Sequence, residues 1–121
     1  MRVLLVDDDP DMLLITRTVL SRSGSFQVSQ AASAREALDL ARREPPEAII
    51  TDYQLPDMDG DQLLERLRAD KSLAEVPVIF LTGKSAPADV ARLMQLGVRA
   101  VIGKPFNPLE LADRIKQILA D

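Results

Sequence analysis

Ala48-Ile49-Ile50-Thr51 is the stretch that most narrows what this chain can fold into. It is apolar, rich in β-branched residues and does not alternate; it climbs to Asp52 and then breaks into a loop carrying Pro56 and Gly60. A run of this kind is a short strand buried on both faces, as in the middle of a parallel sheet. The pattern recurs. Val3-Leu4-Leu5-Val6 ends at Asp7-Asp8-Asp9, and Val76-Pro77-Val78-Ile79-Phe80-Leu81 ends at Thr82-Gly83-Lys84. Ala100-Val101-Ile102 leads into Gly103-Lys104-Pro105, and Phe26-Gln27-Val28-Ser29 reads as one further strand. Pro77 is tolerable because it stands at the beginning of its strand.

Helical patterns fill the intervals. Asp9 with Pro10 opens the first, on which Met12, Ile15, Thr16, Val19 and Leu20 share a face, Leu14 points nearly opposite, and Gly24 ends the run. Ser33 followed by Glu36 predicts a capping box for a second helix running to about Arg43, stopped by Pro45-Pro46. The third helix is expected over Asp61–Ala69 with Leu63, Leu64 and Leu67 inward. The fourth starts near Pro87, carries Val90, Leu93, Met94 and Leu96, and stops at Gly97. The fifth has Asn107 as cap and Pro108 in its first turn, and runs through Leu111, Ile115 and Ile118 to Leu119. Five strands alternating with five helices predict one doubly wound parallel α/β domain over residues 1–121, without linker, repeat or low-complexity segment.

Composition removes several function classes. With 121 residues and 46% apolar content the chain can build a real core. A net charge of −4 argues against sequence-independent nucleic-acid binding, which needs a basic face to neutralise phosphates. Without cysteine there is no disulfide framework or thiolate metal site, in keeping with a cytoplasmic location. Without histidine, the commonest general base and transition-metal ligand is missing. The opening Met1–Val6 is too short for a signal peptide, and nothing approaches the roughly 20 apolar residues of a membrane helix.

The polar residues at the strand ends carry the chemistry. In open α/β sheets, ligands sit beyond the carboxyl ends of the strands, and that edge receives Asp7, Asp8, Asp52, Thr82 and Lys104. Three carboxylates in one crevice repel one another. A divalent, oxygen-seeking cation relieves that conflict, and Mg2+ suits a site with few carboxylates, several waters and a substrate phosphate. Mg2+, Lys104 and a hydroxyl donor together form a phosphoryl clamp, leaving Asp52 as a nucleophile able to form an aspartyl phosphate.

Val6-Asp7-Asp8, Asp52 followed by Pro56 and Met58-Asp59-Gly60, Leu81-Thr82-Gly83 and Gly103-Lys104-Pro105-Phe106 together resemble the receiver domain of bacterial two-component response regulators. The resemblance covers the whole chain. It implies a flavodoxin-like fold with strand order 2-1-3-4-5, and Asp52 as acceptor of a phosphoryl group from a histidine kinase or phosphotransfer protein. Asp8, Asp52 and the main-chain carbonyl of Gln54 would bind Mg2+ directly, with Asp7 holding a metal-bound water. Thr82 would bond the phosphate and Lys104 would pair with it; the Lys104–Pro105 peptide is expected to be cis. The domain would catalyse only its own phosphorylation and dephosphorylation. It would control a downstream effector or output domain through the face formed by the fourth helix, fifth strand and fifth helix. Kinase docking falls on the first helix, where Met12, Leu14 and Ile15 offer apolar contact.

Two departures from the family pattern change the expectations. Val101 stands where the family often places an aromatic three residues before the lysine, so a ring rotation there is not the signal. Gln54 and Lys84, two residues after Asp52 and Thr82, leave the phosphate lifetime open. Blander readings exist for each motif alone: Asp7-Asp8-Asp9 as a helix cap, Thr82 as a strand-end hydrogen-bonder, Lys104-Pro105 as a solvated turn. Asp57-Met58-Asp59-Gly60-Asp61 invites a Ca2+-loop reading, but Gly60 falls at the fourth position where an EF-hand needs it at the sixth, which leaves a turn and helix cap. A phosphohydrolase of the haloacid dehalogenase type would need an aspartate where Gln54 stands, plus a cap segment. A degenerate receiver would have lost one of the acidic pair, the acceptor or the lysine, and all are present.

Overall fold

A computed structural model of the chain describes residues 1–83 and 87–120, with the side chains of 87–89 left out. Ten elements alternate along it: β1 (Arg2–Val6), α1 (Pro10–Arg22), β2 (Gln27–Ala31), α2 (Ala34–Arg43), β3 (Ala48–Asp52), α3 (Gly60–Ala69), β4 (Val78–Thr82), α4 (Pro87–Gln95), β5 (Ala100–Gly103) and α5 (Pro108–Ala120). The strands form one parallel sheet in the order β2-β1-β3-β4-β5. This is the doubly wound parallel domain expected from the strand–helix alternation, in the flavodoxin-like order that the family resemblance implies, with element bounds moved by one or two residues.

Helices on both faces explain why the strands read as unbroken apolar runs. Leu4, Val6, Ile49, Val78 and Phe80 point into a core closed by α2 and α3, which Leu93 of α4 joins. Val3, Leu5, Ala48, Ile50, Ile79, Leu81 and Ile102 point the other way, against Leu13 and Leu20 of α1 and Leu111, Ala112 and Ile115 of α5. Each fully buried aliphatic side chain contributes roughly 1.5–3 kcal/mol relative to exposure. Both cores are lined by alternate residues of the same strands, so a one-residue slip would exchange every side chain between them.

Local signals set the helix ends. The Asp9 carboxylate accepts the Asp11 amide (2.9 Å) in front of Pro10. Ser33 Oγ accepts the Glu36 amide (3.2 Å), but Glu36 Oε2 reaches the amide of Ala32 (3.3 Å), one residue before the cap. A complete capping box forms at α3, where Asp59 Oδ1 accepts from Gln62 N (3.0 Å) and Gln62 Oε1 from Asp59 N (3.1 Å). Asn107 Oδ1 caps α5 through the Leu109 amide (3.0 Å). Gly97, at φ +89°, follows α4 in the left-handed region that favours glycine.

One helix face departs from the sequence expectation, and the apolar residues of a second are only partly buried. On α1 the buried residues are Leu13, Thr16 and Leu20, whereas Ile15 is 43% exposed. Leu13-Leu14-Ile15 is a triple apolar step with no phase of its own, and packing against α5 selects Leu13. On α4, Leu93 is buried and Val90 half-buried, but Met94 is 45% exposed, and Leu96, just past the helix end, is 43% exposed. The apolar stripe of α4 is wider than the surface the sheet offers it.

Candidate functional site at the carboxyl edge of the sheet

The site is assembled by strand register. Val6 pairs with Thr51, Asp52 with Leu81, and Thr82 with Gly103, so β1, β3, β4 and β5 end side by side. Asp7, Asp8, Asp52, Thr82 and Lys104 are all delivered there. A carboxylate oxygen from each of Asp7, Asp8 and Asp52 lies within 4.8 Å of the others. Asp7 is buried, Asp52 half-buried and Asp8 exposed. Lys104 Nζ stands 3.2 Å from Asp7 Oδ2 and 3.6 Å from Asp52 Oδ2. One cation thus bridges two of the three carboxylates and leaves the cluster net negative.

Backbone contacts fix these side chains. The Asp7 amide donates to the carbonyl of Ala31 (3.1 Å), while Asp7 Oδ1 accepts from the Asp9 amide (3.0 Å). The Lys104 amide donates to the Thr82 carbonyl (2.8 Å), latching the loop after β5 onto the end of β4. The Lys104–Pro105 peptide is cis, as the family resemblance implies. Thr82 is buried at the end of β4. Thr51 Oγ1 donates to the Asp52 carbonyl (2.9 Å).

The electrostatics oppose an ionised Asp52. Burial pushes its carboxyl up, Lys104 draws it down, Asp7 pushes it up again, the Tyr53 amide lowers it and Asp8 raises it; the net displacement is upward. The donor set consists of hard oxygens with one part-buried ammonium among them. Such a set fits an oxygen-seeking divalent cation, and a second positive charge is what the excess of carboxylate lacks.

Of the remaining sequence-predicted residues, Gln54 is exposed in the loop after β3 and forms an isolated antiparallel bridge with Asp59. Val101 is half-buried in β5 opposite Phe80. Lys84 lies outside the described residues. Asp57, predicted only as part of a turn, does something more specific. Its Oδ1 and Oδ2 accept the amides of Ala34 (2.9 Å) and Arg35 (2.8 Å), so the loop after β3 is docked on the amino end of α2. Burial in that contact pushes the Asp57 carboxyl up, but the Ala34 and Arg35 amides and the Arg35 charge outweigh it and hold the group below the ordinary carboxylate value. The partners are more than twenty residues away in the chain, and no local pattern announces them.

Gly60 also has a function that spacing does not reveal. A Cβ there would lie 2.6 Å from Phe80 Cε1 and 2.6 Å from Tyr53 Cδ2. The two rings meet edge to face, with centroids 5.6 Å apart. The residue immediately after Asp52 is thereby clamped between β4 and the first turn of α3.

Comparison with known proteins agrees with this fold. Residues 3–116 match the family model described as the response regulator receiver domain. The chain is 38% identical over 118 residues to response regulator Rre1 of Synechocystis sp., covering 98% of this chain and 51% of that protein. It is 34% identical over 120 residues to the chemotaxis protein CheY homolog of Campylobacter jejuni, covering 98% and 92% respectively. The chain therefore spans about half of one curated relative and nearly all of another. A crystal structure of a putative response regulator from Chloroflexus aurantiacus superposes with a TM-score of 0.89 at 34% identity, covering 99% of this chain and 98% of that one. With the family model matched over residues 3–116 and a relative 34% identical along nearly its whole length, this chain belongs to the response regulator receiver domains.

Proposed function

We propose that this receiver domain accepts a phosphoryl group on Asp52 in a Mg2+-dependent reaction and passes the change to the α4–β5–α5 face. The observation that carries the reading is the position of Asp52, within 4.8 Å of Asp7 and Asp8 and 3.6 Å from Lys104 Nζ. Asp52 is the nucleophile: its carboxylate oxygen forms a bond to phosphorus as the bond from phosphorus to the donor histidine nitrogen breaks. Lys104, already held by Asp7, pairs with the charge on the transferred phosphoryl oxygens. Thr82 offers a hydroxyl at the neighbouring strand end. Asp8, Asp52 and the Gln54 carbonyl would hold the divalent ion, with Asp7 acting through a water. When bound, that ion supplies charge neutralisation between the carboxylates and the incoming phosphate.

The donor is a histidine kinase or phosphotransfer protein in the cytoplasm. It docks on α1, where Leu14 and Ile15 are exposed (66% and 43%) on the helix that begins beside Asp7 and Asp8. The recipient of the signal is an effector or an output domain, and the domain transfers no phosphate to other substrates. Phosphorylation adds negative charge and acceptor oxygens beside Thr82 and Lys104, which draws the loops after β4 and β5 inward and shifts the helices they feed.

Incubation with acetyl phosphate and Mg2+, followed by mass spectrometry, should locate one added phosphoryl group on Asp52. Labelling of Asp52→Asn at the wild-type extent would remove the assignment. Titration of Mg2+ should show a large loss of affinity in Asp8→Ala and a smaller one in Asp7→Ala. Unchanged affinity in both would place the metal elsewhere. Hydrogen exchange with beryllofluoride should change protection in α4 and β5; changes confined to α1 would show the output face to be wrong.

A further inference from the structure

Tyr53, the residue after Asp52, is buried, and its hydroxyl faces two charged groups from two different helices. It donates to Asp61 Oδ1 in the first turn of α3 (2.8 Å) and accepts from Arg92 Nη2 of α4 (3.0 Å). Arg92 Nη1 closes the triangle on Asp61 Oδ2, and its guanidinium carbon lies 5.9 Å from the centre of the Tyr53 ring. From these contacts we propose that Tyr53, Asp61 and Arg92 form a latch that holds α4 in its unphosphorylated position and opposes activation. Residues 53, 61 and 92 thus act as positioning residues for the switch, in a chain whose Val101 removes the usual aromatic one. The inference rests on the reading of Asp52 as phosphoacceptor.

Two of the three anchor points are fixed. Tyr53 is held by Phe80 and by Gly60, which has no room for a Cβ. Asp61 sits in a helical turn locked by the Asp59–Gln62 capping box. Arg92 is on the helix with the weaker hold, since Leu93 is the single buried side chain among residues 90–95. When Thr82 and the chain beyond it move toward a phosphoryl group, Arg92 is the end of the latch that must travel. A contact made in the resting arrangement and broken in the activated one raises the free energy of activation, and by linkage it weakens the ligand that drives activation. The hydrogen bonds and the ring contact give the latch its direction; the pair Arg92–Asp61 alone, with both partners part-exposed, would contribute little.

The test uses the whole chain with Mg2+ and beryllofluoride, followed by calorimetric titration, on wild type, Tyr53→Phe and Arg92→Gln. Tyr53→Phe keeps the ring and its packing and removes the hydroxyl; Arg92→Gln changes an exposed side chain, so both should fold. Each variant is expected to bind beryllofluoride about three- to tenfold more tightly than wild type, the range that one or two hydrogen bonds of ordinary net strength provide. In the absence of beryllofluoride, α4 amides should exchange faster in both variants, while those of β1 and β3 stay at the wild-type rate. The chain has one tyrosine and no tryptophan, so its intrinsic emission reports Tyr53 alone and should change when wild type binds beryllofluoride. Equal affinities in all three proteins, or weaker binding in the variants, would overturn the latch while leaving the Asp52 site standing. Failure of wild type to bind beryllofluoride at all would instead remove the reading of the site, and the latch with it.

Discussion

The loop after β3 and the helix after β4 flank the same site and are held in opposite ways. The β3–α3 loop is fastened at every step: Tyr53 under Phe80, a turn closed by Leu55 N to Met58 O (3.3 Å), Asp57 on the amino end of α2, and the Asp59–Gln62 box. Behind it, Leu63, Leu64 and Leu67 sink α3 into the core. Helix α4 shows one buried side chain among residues 90–95, and it leaves Met94 part-exposed. The difference teaches where a switch of this fold can move. Asp52, the proposed phosphoacceptor, stands at the head of the fastened loop, so on the proposed reading the response falls to the side with fewer anchors among the described residues.

The comparison breaks most visibly in the core. Leu67→Ala in α3 should cost about 2–5 kcal/mol of unfolding free energy, because the residue is 1% exposed and closely packed. Met94→Ala in α4, at 45% exposure, should stay within roughly 0.5 kcal/mol of wild type. Urea denaturation of the two variants measures both. Similar losses would mean that α4 is as deeply anchored as α3.

Next in size comes Gly60→Ala. The added methyl group collides with both rings that hold Tyr53, and overpacking of this kind costs about 1–3 kcal/mol. If the loop is as fastened as the contacts indicate, the strain cannot be relieved by a small shift, and the denaturation midpoint falls accordingly. An unchanged midpoint would show that the rings yield easily and that the fastened side is softer than it looks.

Much of this contrast was legible in the residues and some was not. The strands were plain because an unalternating apolar run has few alternatives, and the acidic pair, Asp52, Thr82 and Lys104 converged because parallel strands end together. Capping by Asp9, Ser33 and Asn107 was equally plain, since a cap and its helix are neighbours in sequence. The phase of α1 was not, because Leu13-Leu14-Ile15 satisfies two helical faces and only α5 decides between them. Nor were Asp57 on α2 and Arg92 on Tyr53 visible: these pairs are 23 and 39 residues apart and depend on how elements stack, which no local spacing encodes.

Asp57 gives a smaller effect with a definite pH signature. Replacing it with Ala removes a two-amide cap from α2 and should cost about 0.5–2 kcal/mol at neutral pH. Its folded pKa lies below the unfolded value near 3.9. The stabilisation is therefore complete above the unfolded value and is lost as pH falls through the folded one. The gap between wild type and Asp57→Ala, followed by urea denaturation from pH 6 downward, should narrow under acid. A gap independent of pH would mean that the cap does not act through its charge.

Asp52 carries the opposite sign and the smallest change in stability. Burial first, and then the Asp7 and Asp8 carboxylates, push its folded pKa above the unfolded value against the pull of Lys104. Stability from this group is present in full below the unfolded value near 3.9 and is lost as pH rises through the folded one. Asp52→Asn escapes that loss. Lys104 keeps its contact with Asp7 at 3.2 Å, so the variant is not left with an unpaired cation. At pH 7 without Mg2+ it should be more stable than wild type, at the lower end of the roughly 0.5–2 kcal/mol that single favourable substitutions commonly give. Lowering the pH to 4 should shrink the advantage by restoring wild type. Adding Mg2+ should shrink it too, because on the proposed reading an ion held by ionised Asp52 would stabilise the wild-type fold more than that of the variant. A variant less stable than wild type at pH 7 without Mg2+, or an advantage indifferent to both pH and Mg2+, would show that the crowding of Asp52 by Asp7 and Asp8 is not a source of strain where the fastened loop begins.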